Sequence, residues 1–217
     1  MESRISIALD LHDVVAAWVP AIIELFGWPQ RMTGRVWDWY DDGWSEQEWQ
    51  DWFKSETYAI FLANLDVIHG AYDGLPKLSR KYDVSILTAA PKEGVGFVTT
   101  YNWVYRSGKL PLSITPERMP LIVVGSSEEK QQYLGENAYK FDWLIDDMGA
   151  TIDSPEAQGV NRMCFSAPWN FSAKNATARV KNWSEIMKFF FAPGPQVTAG
   201  PERSKWLTLH STPEVVR

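Results

Sequence analysis

Six residues have the types and positions to do chemistry together: Asp10, His12, Thr88, Lys130, Asp146 and Asp147. Asp10, Thr88 and the Asp146-Asp147 pair each close a short apolar run, and Lys130 follows another by a few residues. A carboxylate can attack phosphorus and form an aspartyl-phosphate, which splits a hydrolysis into two easier steps. Attack of one anion on another needs charge neutralisation. Magnesium prefers carboxylate, carbonyl, water and phosphate oxygens, so Asp10 and the Asp146-Asp147 pair could hold one ion. The Thr88 hydroxyl and the Ala89 backbone N–H could bind phosphate oxygens, and Lys130 could neutralise both the nucleophile and the transferring group. Each residue alone also has a plain structural reading. An Asp at a strand end is often a turn or a helix cap, and a lysine at a helix start is usually solvated; Lys140 is the rival of Lys130. Two adjacent carboxylates repel unless a cation or solvent relieves them. The ordered set favours the chemical reading. His69 and His210 have no partner cluster, so no zinc site is expected.

These residues can meet only if secondary structure carries them to one edge. In open α/β sheets, ligands bind outside the carboxyl ends of the strands. Residues 5–9 read as a buried strand ending at Asp10, and 83–87 as a second ending at Thr88. Leu121–Val124 form a third, followed by Gly125-Ser126-Ser127. Phe141–Ile145 form a fourth, ending at Asp146-Asp147, and Arg162–Phe165 a fifth. Between them, residues 14–26 read as a helix with a kink or restart at Pro20. A capping box at Ser45–Glu48 opens another. Helices are expected over 71–82 and 93–106. A second capping box, Ser126–Glu129, puts Lys130 in the first turn of the next. Residues 178–191 place Trp183, Ile186, Met187, Phe190 and Phe191 near a 3.6-residue period. Short apolar strands alternating with helices predict an α/β fold, a doubly wound parallel sheet. There is no internal repeat.

Composition bounds the partners. The chain has 217 residues, 45% apolar and 22% charged, enough for one α/β domain with an insertion. Formal net charge is −6 with no Lys/Arg run, so long nucleic acid is not an expected partner; a small anionic substrate is, since a metal and local donors can overcome the global charge. No apolar run approaches the ~18 residues of a membrane span, and residues 1–10 do not resemble a signal peptide. Cys164 is the only cysteine, which excludes an intrachain disulfide and makes a cytoplasmic setting the simplest reading. Twelve tryptophans stand out. Trp37, Trp39, Trp44, Trp49 and Trp52 are read first as a small core of their own, with stacking of one or two on a nucleobase as the alternative. From Pro193 onward the chain turns to Pro, Gly, Ser and Thr, and 193–217 reads as a tail or partner-docking segment.

The ordered set resembles the haloacid dehalogenase superfamily of phosphatases. Its first motif, an apolar strand followed by Asp-x-Asp-x-Val/Thr, stands as Ile7-Ala8-Leu9-Asp10-Leu11-His12-Asp13-Val14-Val15. The second matches Ile86-Leu87-Thr88, the third Lys130, and the fourth Trp143-Leu144-Ile145-Asp146-Asp147. Within the superfamily the chain is most similar to the 5'(3')-deoxyribonucleotidases, through Cys164-Phe165-Ser166-Ala167-Pro168-Trp169-Asn170 and Val180–Ile186. The resemblance implies a catalytic core over 1–13 and 71–192, a helical aromatic-rich cap over 14–70, and the 193–217 tail. It implies a magnesium-dependent phosphomonoester hydrolase with Asp10 as nucleophile and a nucleoside or deoxynucleoside monophosphate as substrate. The metal would rest on Asp10, the His12 carbonyl, Asp146 and Asp147, and the phosphate on Thr88, Ala89 and Lys130. Alternatives are another small phosphate ester, a nucleic-acid end, or a nucleotide-binding module with weak or no turnover. Oligomeric state stays open, a homodimer included. One position departs from the pattern: the second Asp of the first motif, the family's general acid and base, is His12 here, with Asp13 next. Either His12 is the acid, or Asp13 reaches in from a rearranged loop, or hydrolysis is slow or lost.

Overall fold

Short apolar runs need cover on both faces, and the fold supplies it. A computed structural model describes residues 4–26, 45–193, 198–202 and 204–205. Six strands, β1 (Ser6–Leu9), β2 (Asp83–Ala89), β3 (Leu121–Val124), β4 (Trp143–Asp146), β5 (Asn161–Phe165) and β6 (Ala178–Val180), form one sheet in the order β3-β2-β1-β4-β5-β6. Every pairing is parallel. The chain therefore reverses direction of build between β1 and β4, where a crevice forms at the carboxyl edge. Alternate residues feed the two faces. Ile7, Leu9, Ile86, Trp143 and Ile145 pack on one side with Leu75, Trp103, Trp183 and Phe190. Ala8, Leu87, Leu144 and Cys164 pack on the other with Leu134 and Ile152.

The helices are α1 (Trp18–Phe26), α2 (Glu46–Phe53), α3 (Glu56–Asn64), α4 (Ala71–Lys81), α5 (Gly94–Tyr105), α6 (Ser127–Asn137), α7 (Gly149–Asp153) and α8 (Trp183–Phe191). The expected capping box opens α2: Ser45 Oγ accepts from Glu48 N, and Glu48 accepts from Ser45 N. At α6 the box is only half made. Ser126 Oγ accepts from Glu129 N at 3.2 Å, but the Glu129 carboxylate turns back one residue further, to Gly125 N at 2.9 Å. Among the described residues no helix is long and apolar enough to cross a membrane.

Four expectations change. Residues 14–17 are a turn rather than helix: Val15 and Ala16 both donate to Leu11 O, and the helix starts only at Trp18. Pro20 then falls in the first turn, where its missing N–H has no intrahelical partner to lose, so it starts a helix rather than kinking one. The segment 178–191 divides into β6 and α8, because Val180 pairs beside Phe165 and Asn182 then caps the helix by accepting from Glu185 N at 3.0 Å. The fourth strand begins at Trp143, after Asp142 has spent its carboxylate on Ser6 N at 2.8 Å. Of the segment read as a tail, Thr198 and Gly200 are tied to the sheet, through Trp143 Nε1 to Thr198 O at 3.0 Å and Gly200 N to Asp142 Oδ1 at 2.8 Å. Trp37, Trp39 and Trp44 lie outside the described residues. Trp52 is core, edge-on to Phe26 and Tyr58.

Trp183 ties α8 to the loop after β1 and to α4. Its indole donates to Val14 O at 2.7 Å, and its ring lies directly on Gly74, with its Cβ against Gly70. Alanine is worth about 1 kcal/mol more than glycine inside a helix, yet a Cβ at Gly74 would collide with this ring. Gly74→Ala is expected to lower stability by about 1–3 kcal/mol, read from urea unfolding; a gain in stability would show that the contact is soft.

Candidate active site

The carboxyl edge gathers the sequence-predicted residues. Asp10 follows β1 and continues its ladder, donating its N–H to Ile145 O at 2.9 Å. Asp146 ends β4 and Asp147 follows. Lys130 reaches them from α6, which starts two residues after β3. Its Nζ sits 2.7 Å from Asp10 Oδ1 and 2.7 Å from Asp146 Oδ2. Lys140, the rival lysine, is in the short 3-10 turn before Phe141, at the opposite end of β4, and takes no part. Oxygens of Asp10, Asp146 and Asp147 lie within 4.8 Å of one another.

Each carboxylate is held differently. Asp10 Oδ1 also accepts from Leu11 N at 2.8 Å. Both Asp146 oxygens are engaged, Oδ1 by Met148 N at 2.7 Å and Oδ2 by Lys130. Asp147 Oδ2 accepts from the Trp169 indole at 2.7 Å, and the Asp147 carbonyl accepts from Asn170 Nδ2 at 2.6 Å. Asp13 faces the start of α1: its two oxygens accept from Val19 N at 2.9 and 3.1 Å. It does so from a left-handed backbone, φ 54°, a conformation that costs a non-glycine residue about 1–2 kcal/mol. The chain thus keeps Asp13 as a helix cap rather than presenting it to the cavity.

Charge is the dominant feature. Asp10, Asp13, Asp146 and Asp147 are at most 6% exposed, against one equally buried cation, Lys130, at 3%. Burial pushes Asp146 up to about 6, although Lys130 pulls it down. Burial, with the Asp10 charge, pushes Asp13 up to about 8 against its hydrogen bond from Val19. Burial and the charges of Asp13, Asp10 and Asp146 raise Asp147 well above the ordinary carboxylate range. For Lys130, burial alone would favour the neutral amine, but Asp10 and Asp146 outweigh it and hold the charge. His12 goes the other way: burial and the Lys130 charge press it down to about 3, so the imidazole is neutral. His12 Nε2 and Thr88 Oγ1 are buried without a hydrogen-bond partner among the described residues.

A cavity of about 650 Å³ opens above this floor. Asp10, His12, Ala89, Lys130 and Asp147 line it from the strand ends, and Trp18, Phe53, Lys54 and Tyr58 line it from α1–α3. Thr88 lies just beneath, beside Ala89. No motif marks the aromatic wall in the sequence: Trp18 is the first residue of α1, outside the tryptophan-rich stretch 37–52, and Phe53 and Tyr58 carry no signature. Trp169 and Asn170 stand in the sequence only as part of the resemblance; their hydrogen bonds to Asp147 join residues 22 and 23 apart.

A lysine between two buried carboxylates predicts a large penalty for its removal, since uncompensated buried charge costs about 3–5 kcal/mol. Lys130→Met is expected to lose stability in that range by urea unfolding. A loss below about 1 kcal/mol would mean that solvent, not Lys130, compensates the carboxylates.

No family model matches the chain, and no curated protein matches it. Solved structures do. The fold aligns with a haloacid dehalogenase-like hydrolase of Streptococcus pneumoniae at TM-score 0.59 and 15% identity, covering 88% of this chain and 100% of that one. It aligns with a magnesium-bound haloacid dehalogenase-type hydrolase of Bacillus subtilis at TM-score 0.53 and 16% identity, over 86% and 98%. A subfamily IA hydrolase of Geobacter sulfurreducens gives TM-score 0.52 at 14% identity, over 86% and 99%. Dehalogenases are among the matches too. With the parallel sheet in the order β3-β2-β1-β4-β5-β6 and the acids at its carboxyl edge, these likenesses identify the chain's fold as haloacid dehalogenase-like.

Proposed function

We propose that the chain is a magnesium-dependent phosphomonoester hydrolase that works through an aspartyl-phosphate on Asp10, with a nucleoside or deoxynucleoside 5'-monophosphate as substrate. The observation that carries the reading is the cavity floor: three clustered, buried carboxylates served by one lysine. Such a surplus of buried negative charge is stable only beside a cation or with bound protons. The donor set is all oxygen, which suits magnesium. Asp10 Oδ2 and Asp147 Oδ1 have no hydrogen bond among the described residues, whereas Asp146 Oδ1 accepts from Met148 N and its buried Oδ2 is ion-paired with Lys130. Asp10 and Asp147, with the His12 carbonyl, would therefore hold the ion, and Asp146 would serve it by holding Lys130. Bound magnesium would neutralise charge on the phosphoryl oxygens.

The chain's own residues supply the rest. An Asp10 oxygen attacks phosphorus, the P–O bond to the leaving group breaks, and water later cleaves the acyl phosphate to release inorganic phosphate and restore Asp10. Lys130, already bonded to Asp10, fixes the nucleophile and stabilises charge on the transferring group. Phosphate oxygens would bind at Ala89, which lines the cavity, with the unpartnered Thr88 hydroxyl next to it in sequence as a further donor. Trp18, Phe53 and Tyr58 give the cavity an apolar roof suited to a flat base. The exposed Lys54 beside them adds positive charge at the rim.

The decisive experiment is phosphate release from a panel of nucleoside and deoxynucleoside monophosphates and simple sugar phosphates, with and without magnesium. Release that needs magnesium and is lost in Asp10→Asn is expected. Turnover that survives Asp10→Asn overturns the mechanism; binding with no turnover of any ester supports a nucleotide-binding module instead. His12→Asp restores a carboxyl where the family pattern has one. With Asp13 committed to capping α1, this change is expected to raise turnover, as general acids contribute ~10²–10⁴-fold. A fall would show that the histidine itself carries the proton.

A further inference from the structure

We propose that Trp169 is a positioning residue for the ion site, acting on Asp147, and that Asn170 and Arg179 lock it in place. The proposal rests on the metal reading given above but concerns residues outside that donor set. Trp169 Nε1 donates to Asp147 Oδ2 at 2.7 Å. With Asp147 ionised beside a cation this bond would be charge-assisted, and it leaves Oδ1 as the oxygen with no protein donor among the described residues. The neighbouring residue fixes the same aspartate by its backbone: Asn170 Nδ2 donates to Asp147 O at 2.6 Å and to Phe165 O at 2.8 Å. Asn170 Oδ1 accepts from Ala167 N at 3.1 Å and from Arg179 at 3.2 Å. The amide is thus saturated, with two donated and two accepted bonds. Arg179 closes the turn from β6, donating also to Asn170 O at 2.9 Å and Ala173 O at 2.8 Å.

The arrangement matters because Asp147 follows the last residue of its strand. Past β4, no ladder fixes its direction. A free carboxylate there would rotate away from Asp10 and Asp146 to relieve repulsion. The indole N–H removes that freedom, and the Asn170–Arg179 pair holds the peptide from which the side chain springs. Partners of this kind change metal affinity by about 10–100-fold when removed.

The test is metal affinity rather than activity. Titration calorimetry with magnesium, and manganese binding followed by electron paramagnetic resonance, would be run on the full chain of wild type, Trp169→Phe and Arg179→Met. Trp169→Phe keeps an aromatic ring and removes the donor; about tenfold weaker metal binding is expected. Arg179→Met lies away from the ion and is expected to weaken binding by a smaller factor; it serves if Trp169→Phe fails to fold. A purely structural role would lower the melting temperature without metal and leave affinity unchanged, and affinity within twofold of wild type in a folded variant overturns the proposal. If wild type itself binds neither ion, the metal reading fails, and this proposal with it. If wild type binds and the variants bind equally, only this proposal fails.

Discussion

One ammonium group between two buried carboxylates sets the terms for the rest of the molecule. Lys130 Nζ lies 2.7 Å from both Asp10 and Asp146, so three elements, β1, β4 and α6, must agree in register to within the tolerance of a hydrogen bond. Parallel pairing of β1 with β4 provides one part: Leu9 stands beside Ile145, which puts Asp10 and Asp146 side by side. The start of α6 provides the other. Only Gly125 and Ser126 separate β3 from the helix, and Ser126 and Glu129 fasten that turn from both sides. A Cβ at Gly125 would come 2.8 Å from Lys92 Cε, so the Lys92 side chain would have to move aside. Lys92 in turn pairs with Glu129. The lysine is accurate because its helix cannot slide.

The same charge balance explains how the neighbouring side chains are used. With four buried acids and one buried lysine at the carboxyl edge among the described residues, any hydrogen-bond donor near the strand ends is valuable, and nearly all are assigned. Leu11 N serves Asp10, Met148 N serves Asp146, Trp169 serves Asp147 and Val19 N serves Asp13. Donors alone do not neutralise charge. Burial displaces Asp13 and Asp147 upward, toward the protonated form, while Asp146 stays paired with Lys130. An ion bound there would displace such protons, so metal binding would be coupled to proton release at this floor.

Legibility from sequence follows the range of the interactions. Asp10, Thr88, Asp146 and Asp147 were readable because each ends a run of buried apolar residues, and burial on both faces leaves a local pattern. Lys130 was readable because a Ser-capped helix start has a short signature. What the pattern hid is non-local or too brief. β6 has three residues, which is not enough to show a period of two, and Trp183 and Ile186 lent the stretch a helical look that belongs only to α8. Residues 14–17 are apolar enough for a helix, but Asp13 and Leu11 claim their backbone for a turn. Trp169 and Asn170 act on a residue 22 positions away from the first of them, and no propensity reports that.

In the proposed reading, position 12 would decide between two uses of this floor, catalysis and binding. Asp10, Lys130 and the acid cluster would serve either one, since both require an anionic group to be drawn to the strand ends. Departure of a poor leaving group additionally requires a proton. The two candidates to deliver it face different constraints. Asp13 holds a proton readily, but its oxygens are turned to Val19 N, and freeing them would uncap α1 and disturb Trp18 in the cavity wall. His12 lines the cavity, but burial, and with it the Lys130 charge that fixes Asp10, opposes protonation of the imidazole. The interaction that organises the site thus works against the residue that would complete it. In the proposed reaction, esters whose leaving groups depart without a proton would then suffer least from the exchange of Asp for His.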